Sequence, residues 1–175
     1  MLAVMSTDGD SLFLLSGAAL SEGSDGKPVR RYLSDGYRYH PSSGWSKLAD
    51  MPRAAVAAPS PAAVVRLEKS FRKSGSSKES SQPEIDTSAG IVVLGGDDGT
   101  KVDFRPIDQH PGFPSTALVY SIQHDSWLEV PMGISDSQVT TALIEYEKKL
   151  IIPSGEIRPG VRTSKVRQLE LSVPR

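Results

Sequence analysis

This 175-residue sequence predicts an all-β fold built from repeated four-stranded blades, and three features carry that expectation. Apolar runs of strand length end in glycine three times, at Gly17, at Gly95-Gly96 and at Gly155. Aromatic landmarks recur in step, with Tyr37 and Tyr39 before Trp45 and Tyr120 before Trp127. Turn residues separate the short apolar segments. A recurring antiparallel unit of roughly 45–60 residues with such landmarks is the pattern of a β-propeller blade.

The first unit, residues 1–55, opens as a hairpin. Leu2 to Met5 and Leu12 to Leu15 flank Thr7-Asp8-Gly9-Asp10, and Asp-Gly between apolar runs is a strong hairpin signal. A polar loop is expected from Ala18 to Asp35. Strands then follow at Tyr37 to His40 and Trp45 to Leu48, around a turn at Pro41 to Gly44. The second unit, 56–135, repeats the plan with strands at Ala62 to Leu67, Ile91 to Leu94, Ala117 to Tyr120 and Trp127 to Val130. A long polar loop runs from Asp97 to Ser115. Between its first two strands lies 68–88, rich in Ser and Lys. Such a composition buries too little surface to offset its ordering entropy, so a disordered insertion is expected there. The third unit, 136–175, offers strands at Val139 to Tyr146, Leu150 to Pro153 and Lys165 to Val173, with no fourth strand and no third tryptophan. Trp45 and Trp127 are expected to fill the wedges between neighbouring blades.

Bulk properties narrow the function classes. A net charge of −1 gives no reason to expect a nucleic-acid or acidic-membrane partner. The absence of cysteine excludes disulfides and thiolate chemistry. His40, His110 and His124 lack metal-ligand spacing, so no metal is expected. No apolar run approaches the roughly 20 residues of a bilayer span. The N-terminus lacks the basic segment of a signal peptide.

One stretch stands out for its charge. In Gly155-Glu156-Ile157-Arg158-Pro159-Gly160-Val161-Arg162-Thr163 a Pro-Gly turn lies between Glu156 and Arg162 and can hold the two facing each other. From residue types alone, this suits either a loop ion pair that fixes the turn or an acid/base site.

The Gly-Gly, Tyr and Trp landmarks, with the Met51-Pro52 ending of unit one, resemble kelch repeats. The 155–163 stretch closely resembles the G-E-x-K/R-P-G-x-R-T segment of the sialic-acid mutarotases (N-acetylneuraminate epimerases), which are six-bladed kelch propellers. On that resemblance the chain is two complete kelch blades plus a partial third, about half of a six-bladed propeller. The resemblance implies a cofactor-independent isomerase that interconverts the anomers of N-acetylneuraminic acid, a sialic acid, with Glu156 and Arg162 as the catalytic pair. It also implies a periplasmic or secreted setting for a full-length protein.

Mutarotation opens the sugar ring and recloses it on the other face. It needs a group to remove the anomeric hydroxyl proton, a donor near the ring oxygen and a cation for the substrate carboxylate. Glu156 suits the first role, and Arg162 either anchors the carboxylate or stabilises developing oxygen charge, with Arg158 a weaker candidate for the latter. Loops after the second strand of each blade should open on one face of a propeller. That gathers Arg30, Arg31, Asp97, Asp98, Arg105 and His110 around the Glu156 mouth. Arg31, Arg105 and His110 join Arg158 as candidate substrate-binding residues. His110 equally suits a loop-fixing hydrogen bond, and Asp97-Asp98-Gly99 a turn. The competing function is a non-enzymatic kelch module presenting its loops to a protein or glycan. Half a ring leaves open sheet edges, so the chain is expected either to be a fragment of a longer product or to pair with another chain or copy, with weak or absent activity in isolation.

Overall fold

The computed structural model describes residues 1–66, 89–133 and 135–170. The disordered insertion expected at 68–88 lies outside them, as does the part of the last expected strand beyond 170.

In chain order the strands of the first unit are β1 (Val4–Thr7), β2 (Leu12–Leu15), β3 (Ala18–Glu22), β4 (Pro28–Tyr32), β5 (Gly36–His40) and β6 (Gly44–Lys47). The second unit has β7 (Ala63–Arg66), β8 (Ala89–Leu94), β9 (Thr116–Ser121) and β10 (Ser126–Pro131). The third has β11 (Ile144–Tyr146), β12 (Lys149–Arg158) and β13 (Val161–Glu170). They form sheets ordered β1-β2-β5-β6, β7-β8-β9-β10 and β11-β12-β13, with β3-β4 a separate ribbon, and neighbouring strands are antiparallel throughout.

Alternation along the strands sends one set of side chains to each face. From the first sheet Val4, Phe13 and Leu15 pack on Ile91, Val93, Leu118 and Tyr120 of the second. The opposite face of the second sheet supplies Ala63, Leu94 and Ala117, which pack with Leu143, Leu150 and Ile152 of the third unit. The middle sheet is therefore apolar on both faces, and the cores lie between sheets rather than within one.

Each sheet is tied to the chain segment entering it by the same pair of backbone bonds. Met1 and Ala18 exchange bonds of 2.7 and 2.8 Å, the first from the terminal amine. Val56 and Asp97 do so at 2.9 and 2.8 Å, and Val139 and Glu156 at 2.9 Å in both directions. Immediately before this rung lie Ser16-Gly17, Gly95-Gly96 and Ser154-Gly155, all with positive φ. Space dictates the glycine: a Cβ on Gly96 would lie 2.6 Å from the Ala55 backbone, and one on Gly155 would lie 2.9 Å from the Val139 carbonyl.

Four expectations need correction. The loop at Ala18 to Asp35 contains the β3-β4 ribbon, anchored where Ala18 and Tyr32 pack with Ala54 and Val56. The first strand of the third unit is only Ile144–Tyr146, because Val139 is taken up by its bridge to Glu156. Gly155 does not end a strand. It sits at a register shift within β12, and the charged stretch expected as a loop is the tip of the β12-β13 hairpin. Finally, Trp127 packs against the core between the first two sheets, but Trp45 is 59% exposed and fills no wedge among the described residues.

Candidate functional site

The equivalent rungs place Asp97 of the second unit and Glu156 of the third at the same end of the sheet stack. Both line a cavity of about 370 Å³ together with Arg30, Lys101, Arg105 and His110. Leu2, Val56, Ala57 and Val139, from the segments entering the three sheets, supply apolar wall. A cavity of this size is within the usual range for a small-molecule site.

The Glu156 carboxylate is oriented by its own hairpin. Arg158-Pro159-Gly160-Val161 closes it as a two-residue turn, with Gly160 at φ 74°. The Gly160 N–H donates to Glu156 Oε1 at 2.7 Å. The second carboxylate oxygen has no protein donor among the described residues.

Arg162 sits directly across the ladder from Glu156. No ion pair joins the two, and neither Arg162 nor Arg158 lines the cavity. The Arg162 Nη2 donates to the Thr140 carbonyl at 3.4 Å, and Thr140 is itself part of the cavity wall. The buried Arg158 Nε has no hydrogen-bond partner among the described residues.

Asp97 is held by two donors. The Gly99 N–H reaches Oδ1 at 3.0 Å and the Tyr32 hydroxyl reaches Oδ2 at 3.1 Å. Burial pushes the Tyr32 phenol above its usual pKa. The Arg30 guanidinium beside it pulls the other way, and the Asp97 charge adds to the rise. Arg30, Tyr32 and Asp97 thus form one polar cluster across the first two units.

Arg30 and Tyr32 share a face of β4, while Arg31 between them belongs to the other face and does not line the cavity. That corrects the sequence expectation for Arg31. The alternation of β4 is the signal that separates the two arginines, but it exists only once the segment is recognised as a strand.

His110 is 5% exposed, and its Nδ1 accepts the Gly112 N–H at 3.0 Å. The Phe104 ring meets it edge-on at 5.5 Å. With Nδ1 accepting, a neutral ring carries its proton on Nε2. Arg105 Nη1 donates to the Phe104 and Val102 carbonyls at 2.8 and 3.3 Å, which fixes its side chain along the loop. Lys101 and Tyr32 were not legible as site residues. Only their place next to Asp97 and Arg30 in the folded chain singles them out. Asp98 serves its turn by accepting the Thr100 N–H at 2.9 Å.

The arrangement therefore offers two carboxylates, three cations and a buried imidazole around one small cavity. It can hold an anionic polar molecule and move a proton on it.

No protein-family model matches the chain, and no curated protein matches its sequence. Among solved structures it is similar to that of YjhT, with a TM-score of 0.66 and 17% sequence identity. The likeness covers 98% of this chain and 48% of that one, so the chain spans about half the length of its structural neighbour. At this identity the likeness carries the fold alone: an all-β chain of kelch-type propeller blades, two with four strands and one with three.

Proposed function

We propose that the chain is an acid/base isomerase-like protein acting on a carboxylated sugar, with N-acetylneuraminic acid the substrate that its resemblance to the sialic-acid mutarotases favours. The observation that carries this reading is Glu156, one carboxylate oxygen of which accepts the Gly160 N–H, and which lines a cavity together with Arg30, Lys101 and Arg105. In it, the cations hold the substrate carboxylate and Glu156 takes the anomeric hydroxyl proton. The ring C–O bond then breaks as the anomeric oxygen becomes a carbonyl, and the ring oxygen takes up a proton from water, so that no net proton is gained or lost once Glu156 returns its own. Rotation about the C–C bond beside the new carbonyl presents its other face to the freed hydroxyl, and the reverse steps give the other anomer. Arg162 acts through the wall by gripping the Thr140 carbonyl, not by touching the sugar.

Proton NMR of anomer interconversion tests it directly. The intact chain should exceed the buffer rate, and Glu156→Gln should lower the enzymatic rate by about 10²–10⁴-fold. A wild-type rate equal to buffer sinks the proposal.

A second reading is a non-catalytic module that binds a glycan or protein through the same mouth. It is favoured by the position of Arg162, half of the pair the resemblance implies, outside the cavity. Binding of the sugar, seen as shifted resonances without accelerated interconversion, selects it.

A further inference from the structure

The two ends of the sheet stack are uncovered among the described residues. On the outer face of the first sheet, one cross-strand row is Thr7, Leu12, Tyr39 and Trp45. The next is Met5, Leu14, Tyr37 and Lys47. Counted from Gly17 and Gly96, these match rows of the second sheet: Val64, Ile91, Tyr120 and Trp127, then Val93, Leu118 and Glu129. Those second-sheet rows are the ones packed against the first sheet.

The ring pairs match as well. Tyr39 and Trp45 have centroids 5.2 Å apart at 50°, and Tyr120 and Trp127 have centroids 4.9 Å apart at 39°. Yet Met5, Leu12, Leu14, Tyr37 and Trp45 are all exposed. The open face thus repeats, row by row, a face that the same chain closes with a sheet. A contiguous exposed apolar patch of this kind marks an interaction surface.

The outer face of the third sheet presents Ile144, Ile151 and Val166. Ile151 occupies the position that Phe13 holds in the first sheet, and Phe13 is the residue that meets Tyr120, with centroids 6.4 Å apart. Third-sheet Ile151 is therefore what a neighbouring blade would offer to Tyr39.

We propose that the outer face of the first sheet docks the outer face of the third sheet of a second copy, and that two copies about a two-fold axis close one ring. The arc of one copy superposes on 48% of the YjhT chain, so two arcs supply the blades of one such propeller. Closure after two copies covers both open faces of both chains at once, whereas a head-to-tail angle that does not close leaves an open filament. The inference does not rest on the sugar-isomerase reading, and a chain that dimerises without isomerising retains it.

Sedimentation across a concentration series should show a species of twice 18.8 kDa, with nothing larger. Trp45→Glu should weaken the association by about 10–100-fold while leaving the monomer folded. Because the chain has no cysteine, pairing geometry can be read separately. A mixture of Tyr39→Cys and Ile151→Cys chains should give a disulfide-linked dimer on oxidation, and neither chain alone should do so. A monomer at every concentration, an open-ended polymer, or crosslinking of Tyr39→Cys to itself in place of the mixed pair overturns the proposal.

Discussion

The pairs Tyr39–Trp45 and Tyr120–Trp127 occupy the same positions in two blades, and their surroundings differ. Each is a cross-strand pair with nearly the same ring geometry, so the aromatic contact belongs to the blade itself. What the second pair gains comes from its neighbour. The Trp127 indole donates to the Ala49 carbonyl at 2.9 Å, and Asp125 accepts both the Ala49 N–H and the Tyr120 hydroxyl at 2.8 Å. Burial pushes the Tyr120 phenol well above its usual range, and its bond to Asp125 adds to the rise. The landmark marks the position of the pair, and the adjoining blade decides its environment.

The largest effect is expected where that environment is removed. Trp127→Ala takes away the half-buried indole and leaves the Ala49 carbonyl without its donor. A loss of about 3–4 kcal/mol is expected, read as a lower urea midpoint at unchanged slope. A loss below about 1 kcal/mol would mean that the first two blades are held together chiefly by their other contacts.

A smaller effect should appear at the rim of the same junction. Arg53, entering the second blade, donates to the Ala54, Gly95 and Thr116 carbonyls, and its Nε meets Glu129 Oε1 at 2.8 Å. The Thr116 hydroxyl, and after it Arg53, hold the Glu129 carboxyl below its ordinary value of 4.5. A depressed carboxylate pKa contributes stability above the unfolded value and loses it as pH falls through the folded one. The melting temperature of the wild type should therefore exceed that of Glu129→Gln at pH 7. The gap should close as pH drops below 4.5. A gap of constant size down to pH of about 3 would mean that the carboxylate charge is not what stabilises the rim.

This contrast also explains what could be read from the sequence. The strand-ending glycine recurs in all three units and the Tyr…Trp spacing in two, because the close approach and the cross-strand packing they serve are both local requirements. The β3-β4 ribbon was not legible, because most of its residues are exposed and alternation carries little information without a buried face. That omission then hid the difference between Arg30 and Arg31. Glu156 stood out by its charge beside a Pro-Gly turn. Lys101 and Tyr32 gave no such signal, since their relation to the cavity comes from contacts between units. Trp45 was misjudged for a related reason. Its own blade sets its position, while its burial depends on a surface outside that blade.

The smallest expected effect completes the comparison. Trp45 is the counterpart of Trp127, but the side chain is 59% exposed and its described aromatic partner is Tyr39. Removing it opens no cavity and orphans no buried polar group, the usual sources of large losses. At a concentration where sedimentation shows a monomer, Trp45→Ala should change the urea midpoint by an amount equivalent to about 0.5 kcal/mol or less. The same substitution should weaken self-association at higher concentration. Equal and large losses from Trp45→Ala and Trp127→Ala in the monomer would show that the ring pair stabilises a blade without its neighbour. Unequal losses place the stabilisation between blades, where the packed core and the Ala49 bonds are found.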